Sequence, residues 1–164
     1  MDANIPSIHP HPWLEEDVAA LEATKNFAEI GEIVKNVALR LPHKVAMISG
    51  PMTSGGKGSN AENLAAYQRA MEYVRSRGHF VFDQLPGERA LKKHWHAWNA
   101  AQTVQPPGYC WELLPGVYGP IFESGQIKTI FFMPDWKSSK GSAWEHEMAE
   151  KLGIERVYIP LNWE

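Results

Sequence analysis

Cysteine is almost absent from this chain of 164 residues: Cys110 stands alone. A single thiol excludes an intramolecular disulfide and suits a reducing compartment. Long apolar runs are missing too, since nothing approaches the roughly 18 residues of a spanning helix. The first residues lack the basic-then-apolar plan of a signal peptide, so the expectation is a cytoplasmic protein with no membrane partner. No charge of one sign dominates. A formal net charge of −3 with interspersed signs gives no reason to expect binding to a nucleic acid polymer. Internal repeats and low-complexity tracts are lacking as well.

Several chemical signatures are also missing. The loop from Gly50 to Ser59 is glycine-rich, but Lys57 is followed by Gly58, which breaks the Walker A spacing, and no GxGxxG stands at the turn. No GxSxG marks a nucleophilic serine, and Cys110 has no triad context. His146 begins an HExxH-like run that ends in Glu150 rather than His. His9 and His11 lack acidic or thiol neighbours at ligand spacing. On a helix, His94 and His96 point about 200° apart. No metal or cofactor is expected.

What is present reads as alternating strands and helices. Met1 to Trp13 carries three prolines and is expected to be an irregular arm. Leu14, Val18 and Leu21 then fall at helical spacing. Asn26 with Glu29 opens a second helix bearing Phe27, Ile30, Val34, Val37 and Leu41 on one face. This prefix, residues 1–43, either covers one face of a sheet or packs against a partner subunit. Residues 44–164 form the α/β domain proper. Lys44 to Ser49 is its first strand. Ser59 and Glu62 cap a helix from Asn60 to Arg77, with Leu64, Tyr67, Met71 and Val74 as its apolar stripe. His79 to Asp83 is a second strand, and Glu88 to Ala101 a helix with Leu91, Trp95 and Trp98 inward. Gln105 to Gly125 reads as broken helical turns over the sheet, forming a lid or an oligomer contact. Ile127 to Met133 is a buried parallel strand, and Arg156 to Pro160 the last. Between them a helix runs to Gly153, with Ser142 and Glu145 as its capping box.

Right-handed crossovers make this a three-layer, flavodoxin- or Rossmann-like parallel sheet of four or five strands, ordered 2-1-3-4. The switch point lies between the first and third strands, where open α/β sheets place their ligands. That order brings the Gly50–Ser59 loop beside the Pro134–Ser142 loop. One offers backbone donors with Thr53, Ser54 and Lys57; the other offers Asp135, Ser138, Ser139, Lys140 and Glu145. Carboxylates beside anion- or hydroxyl-binding donors suit glycosyl transfer. Spacing alone also permits Glu145 to be an ordinary cap, and Ser138 and Ser139 to satisfy loop backbone.

ISGPMT (Ile48 to Thr53), RSRGHFVFD (Arg75 to Asp83) and MPDWKSSKGSAWEHEMAEKLG (Met133 to Gly153) resemble the nucleoside 2-deoxyribosyltransferase-like superfamily. Within it they are most similar to a bacterial and phage branch of unassigned function, written with an SGPM-type loop and a PGWxxSxGAxxE block. The resemblance spans about Val45 to Ile159 and thins through Gly87–Gly125. It implies a flavodoxin-like subunit working as a homo-oligomer on a nucleoside or nucleoside monophosphate, without a cofactor. It implies N-glycosidic bond cleavage, as hydrolase or deoxyribosyltransferase, with Glu145 as the nucleophile that forms a glycosyl-enzyme intermediate. Gly50, Met52 and Thr53 match the loop that contacts sugar or phosphate, and Ser138, Ser139 and Lys140 are taken as further substrate contacts. Where the branch carries Asp before the third strand, this chain has Ser124, Gly125 and Gln126; Asp135 is the candidate to take over that role. A non-catalytic nucleotide-binding or sensing module on the same fold is the alternative. Trp136 and Trp144 are expected as pocket walls or core. Set at the first turn of its helix, Glu145 is expected to be held ionised at neutral pH by the helix dipole.

Overall fold

A computed structural model describes residues 12–164 apart from 43, 53, 54, 106 and 107. Its elements run α1 (Glu15–Glu22), α2 (Phe27–Leu39), β1 (Val45–Ser49), α3 (Asn60–Arg75), β2 (Phe80–Val81), α4 (Leu85–Ala101), α5 (Leu113–Val117), α6 (Gly119–Glu123), β3 (Ile127–Phe132), α7 (Lys140–Leu152) and β4 (Glu155–Tyr158). A single 3-10 turn, Trp136–Ser138, sits between β3 and α7. The four strands form one parallel sheet in the order β2-β1-β3-β4, as the crossover argument requires.

The order dictates the layers. From β1 the chain crosses to β2 in one direction, and from β3 to β4 in the other, so right-handed crossovers place α3 and α7 on opposite faces. The side chains agree. Ala46 and Ile48 of β1 pack with Tyr67, Ala70, Met71 and Val74 of α3, while Val45 and Met47 face the layer containing α2, α4, α5, α6 and α7. A register shift opposite Val45/Ala46 leaves Lys128 unpaired, since Val45 pairs with Ile127 and Ala46 with Thr129. That irregularity is why Ile127, Ile130 and Phe132 can all face the same layer.

Helix ends follow their local chemistry. Asn26 Oδ1 accepts the Glu29 N–H at 2.9 Å and Ser59 Oγ accepts that of Glu62 at 3.2 Å. Gly153 closes α7 in the left-handed conformation, φ 69°. Several boundaries differ from the sequence expectation. Lys44 is left-handed, φ 63°, so β1 begins one residue later. Leu64 is exposed, and the buried stripe of α3 runs instead through Asn63, Ala66, Tyr67, Ala70, Met71 and Val74. α4 starts at Leu85 because Asp83 Oδ1 accepts the Leu85 N–H at 2.9 Å and Pro86 is at home in a first turn.

The helical prefix covers the sheet. Leu21, Ile30, Val34, Val37, Ala38 and Leu41 share one core with Val45, Met47, Ile121 and Phe122. Trp13 packs on Phe82 with ring centres 6.0 Å apart and donates its indole N–H to the Asp83 carbonyl at 2.7 Å; the rest of the expected arm, through residue 11, lies outside the described residues. The apolar stretch before β3 is likewise absorbed: Leu113, Leu114, Val117, Tyr118, Ile121 and Phe122 are all buried within the chain. Their apolarity, which suggested an oligomer contact, is accounted for by this chain's own core. Among the described residues no helix is long and apolar enough to cross a membrane.

One contact fixes how closely α5 approaches. A Cβ on Gly31 of α2 would sit 2.1 Å from the Gly116 carbonyl oxygen, so the two backbones meet where only glycine fits. Gly31→Ala is therefore expected to destabilise the protein by about 1–3 kcal/mol despite the better helix propensity of alanine. Urea denaturation checks this; an unchanged or higher midpoint would show that α5 yields without cost.

Candidate functional site

The loops leaving β1 and β3 emerge together because Ser49 pairs with Phe132 at the ends of their strands. Between them, α4, α5 and the start of α7 enclose a cavity of about 510 Å³, within the usual range for small-molecule sites. Glu88, Leu91, Lys92, Trp95 and His96 line it from one face of α4, at the i, i+3, i+4, i+7, i+8 spacing of a helical stripe. Leu113, Leu114 and Tyr118 form the opposite side, and Gly50 and Met52 come from the first loop. From the second come Ser139, Lys140, Ser142 and Glu145.

Glu145 does reach this cavity, but not as a cap. Ser139 is the N-cap of α7, extended at φ −101° and ψ 125°, and its Oγ accepts the Ser142 N–H at 3.3 Å. Both Ser139 and Ser142 offer a start signal. The earlier one prevails, and it puts Glu145 in the second turn, where the helix dipole has little hold. Glu145 is only 6% exposed and its Oε2 has no hydrogen-bond partner. Burial is the main cause that raises its carboxyl to about 8; the Ser49 hydroxyl pulls it down and the Glu88 carboxyl pushes it up. Burial thus works against the expectation of a carboxylate held ionised at neutral pH: with the carboxyl raised to about 8, the protonated form is favoured. Ser49 Oγ is also buried and has no hydrogen-bond partner.

Glu88 was not among the residues singled out from sequence. Its carboxylate accepts a hydrogen bond from the Tyr118 hydroxyl. Burial raises its carboxyl above the usual range, against the lowering effects of Tyr118 and Lys92. Tyr118 is in turn pushed well up, by burial first and then by Glu88, so it stays a phenol and a donor. Tyr109, also in the cavity wall, is raised to about 12 by burial and then by Glu145 and Glu88. Burial pushes the Cys110 thiol up, which keeps it from being a thiolate nucleophile. Among the described residues no group of three or more His, Cys, Asp or Glu is placed to hold a metal ion.

The other sequence candidates divide. Gly50, Met52, Ser139 and Lys140 line the cavity; Ser138 and Asp135 do not. Ser138 is a fastener: its Oγ accepts the Gly56 N–H at 2.9 Å and donates to the Asp135 carbonyl at 2.7 Å. Asp135 stands at the start of the 3-10 turn, where its carbonyl accepts the Ser138 N–H at 3.0 Å. Thr53 and Ser54 lie outside the described residues. Gln126 donates to the carbonyls of Ala38 and Leu41 at 3.1 and 3.0 Å, so it finishes α2 and takes no part in the site. Trp136 stacks on His146 at 4.2 Å and Trp144 packs against Phe122 at 6.0 Å; neither walls the cavity. Trp95 and Tyr109 do.

The glycine loop is bound inward. Buried Asn63 accepts the Lys57 N–H at 2.8 Å and donates to the carbonyls of Met52 and Gly55 at 3.2 and 3.1 Å. Two of the N–H groups expected to cradle a phosphate, those of Gly56 and Lys57, are therefore engaged by Ser138 and Asn63. The basic groups that do line the cavity are Lys92, Lys140 and the imidazole of His96.

A buried acid with a raised pKa couples folding to pH. Unfolded, Glu145 loses its proton near the usual 4.5; folded, it keeps it to about 8. The folded state binds more protons across that window, so its stability is full below about pH 4.5 and lost as pH rises through 8. The slope is at most about 1.4 kcal/mol per pH unit, and Glu88 acts in the same direction. Urea midpoints are expected to fall between pH 5.5 and 8 more steeply for wild type than for Glu145→Gln. Parallel slopes would mean that Glu145 does not titrate there. Compared with protein-family models, curated proteins and solved structures, the chain matches none.

Proposed function

We propose that this protein cleaves the N-glycosidic bond of a nucleoside or nucleoside monophosphate through Glu145. The observation that carries the reading is the buried Glu145 Oε2 without a partner, in a cavity that also contains a second carboxyl, Glu88, and a phenol hydrogen-bonded to it. Two carboxyls in one apolar-walled site are the parts that glycosyl transfer requires. Glu145 attacks the anomeric carbon, the bond from that carbon to the base nitrogen breaks, and the base takes a proton from Glu88. Water, or a second base, then displaces Glu145 and returns a proton to Glu88. Glu88 is suited to this because its burial favours the protonated acid, while the Tyr118 hydroxyl stabilises the carboxylate left behind.

The raised pKa of Glu145 sets the pH dependence. The nucleophile must be ionised and the acid protonated, so kcat/KM is expected to be bell-shaped in pH, needing Glu145 without its proton and Glu88 with its own. Glu145→Gln should lower kcat/KM by roughly a thousandfold or more. A 2-fluoro-arabino nucleoside should leave one glycosyl unit on the wild type, mapped to Glu145. Normal turnover by the variant, or a label elsewhere, would discard the mechanism.

The same neutral Glu145 favours one other reading, a nucleotide-binding module without turnover, in which the protonated carboxyl simply donates to its ligand. Release of free base from a panel of deoxynucleosides and monophosphates separates the two, since binding without release supports the module.

A phosphate, where present, is better served by Lys92, His96 and Lys140 than by the glycine loop. A nucleoside monophosphate is expected to raise the melting temperature more than its parent nucleoside, and Lys92→Ala/Lys140→Ala to abolish the difference. Equal shifts in wild type would assign the cavity to nucleosides alone.

A further inference from the structure

Gln84 is one of the buried polar groups among the described residues that the fold leaves without a partner. It occupies the N-cap of α4, where a side chain ordinarily accepts a hydrogen bond from the first turn, yet it makes none. Asp83 takes that duty instead, through Oδ1 and the Leu85 N–H. Gln84 is 5% exposed, its Oε1 is buried without a partner, and the residue lines the same cavity as Glu145 and Glu88. Buried amides are nearly always hydrogen-bonded, and an unpaired one is costly. An orphaned carboxamide in a cavity is therefore in place for something that enters.

Its chemistry narrows what that is. A carboxamide presents one acceptor and two donor hydrogens in a plane. The complementary partner is a flat edge with an N–H donor beside an acceptor, as amino-substituted nitrogen heterocycles carry. Trp95, Tyr109, Leu91 and Leu114 provide apolar and aromatic wall for the body of such a ring. We infer that Gln84 is the specificity-determining residue of the cavity, reading the amino-bearing edge of a heteroaromatic base. The inference rests on the nucleoside reading for the class of ligand, but it concerns recognition and needs no bond cleavage.

Adenine and purine differ only in the exocyclic amine, and as free bases neither can be turned over. Calorimetric titration of the full chain is expected to show adenine binding at least tenfold more tightly than purine. Gln84→Met, similar in length and without a polar end, should weaken adenine about tenfold more than purine, which offers only the ring-nitrogen acceptor, so the preference disappears. Gln84→Glu keeps an oxygen acceptor in place and should retain a preference for adenine, which a merely structural role would not predict. An unaltered adenine preference in Gln84→Met, an equal loss for both bases, or no binding of either base by wild type overturns the inference. Should Gln84→Met fail to fold, loss of the preference in Gln84→Glu overturns it as well. If Gln84 controls the preference but no nucleoside is ever cleaved, only the catalytic proposal falls.

Discussion

The parallel pairing of β1 with β3 is the constraint from which the rest of the molecule follows. The two strands are far apart in sequence, and the chain between them returns to the sheet only once, as β2 on the far side of β1. Their ends are level, with Ser49 opposite Phe132. Two loops that share no local sequence therefore leave the sheet as neighbours. Helices α3 and α7 must lie on opposite faces, and the long excursion through α4, α5 and α6 can only close over the α7 face. The cavity is the space left beneath that closure. It belongs to the topology before it belongs to any residue.

Within it, burial outweighs helix position in setting the character of Glu145. A carboxyl in a first turn gains from the exposed N–H groups and stays charged. One turn further in, with a wall of Leu113, Leu114 and Tyr118 nearby, the loss of water dominates and the acid holds its proton. Ser49 and Glu88 then pull in opposite directions on the remainder. Such a site is costly to build, because its orphaned oxygens and half-neutral acids weaken the fold that contains them. Strain of this kind concentrates where a protein meets its ligand.

The architecture was legible because apolar runs and capping signals are local. IKTIFFM could only be a buried strand, and Asn26 with Glu29 and Ser59 with Glu62 announced their helices as they stand. Glu145 and Lys140 were reachable because they follow a strand end at the switch point. Glu88 was hidden by looking routine: an acidic residue near a helix start is common, and nothing local shows that Tyr118, thirty residues on, will fold against it. The signal that existed was the mixed face Glu88, Leu91, Lys92, Trp95, His96, too polar for core and too apolar for solvent. Asp135 and Ser138 fall outside the cavity lining, and only the fold shows that the Ser138 hydroxyl is spent on the loop, between the Gly56 N–H and the Asp135 carbonyl. That Ser139 rather than Ser142 caps α7 shows only in the fold, where the Ser139 hydroxyl accepts the Ser142 N–H.

The inward fastening of the glycine loop has one more consequence. Gly56 and Lys57 present consecutive amide N–H groups next to left-handed glycines, the backbone shape of an anion nest. Ser138 Oγ and Asn63 Oδ1 fill that nest with oxygens of the protein's own. The loop is thus a receptor carrying a built-in ligand. Asn63 also holds the Met52 and Gly55 carbonyls, so an entering anion would have to displace groups that shape the loop itself.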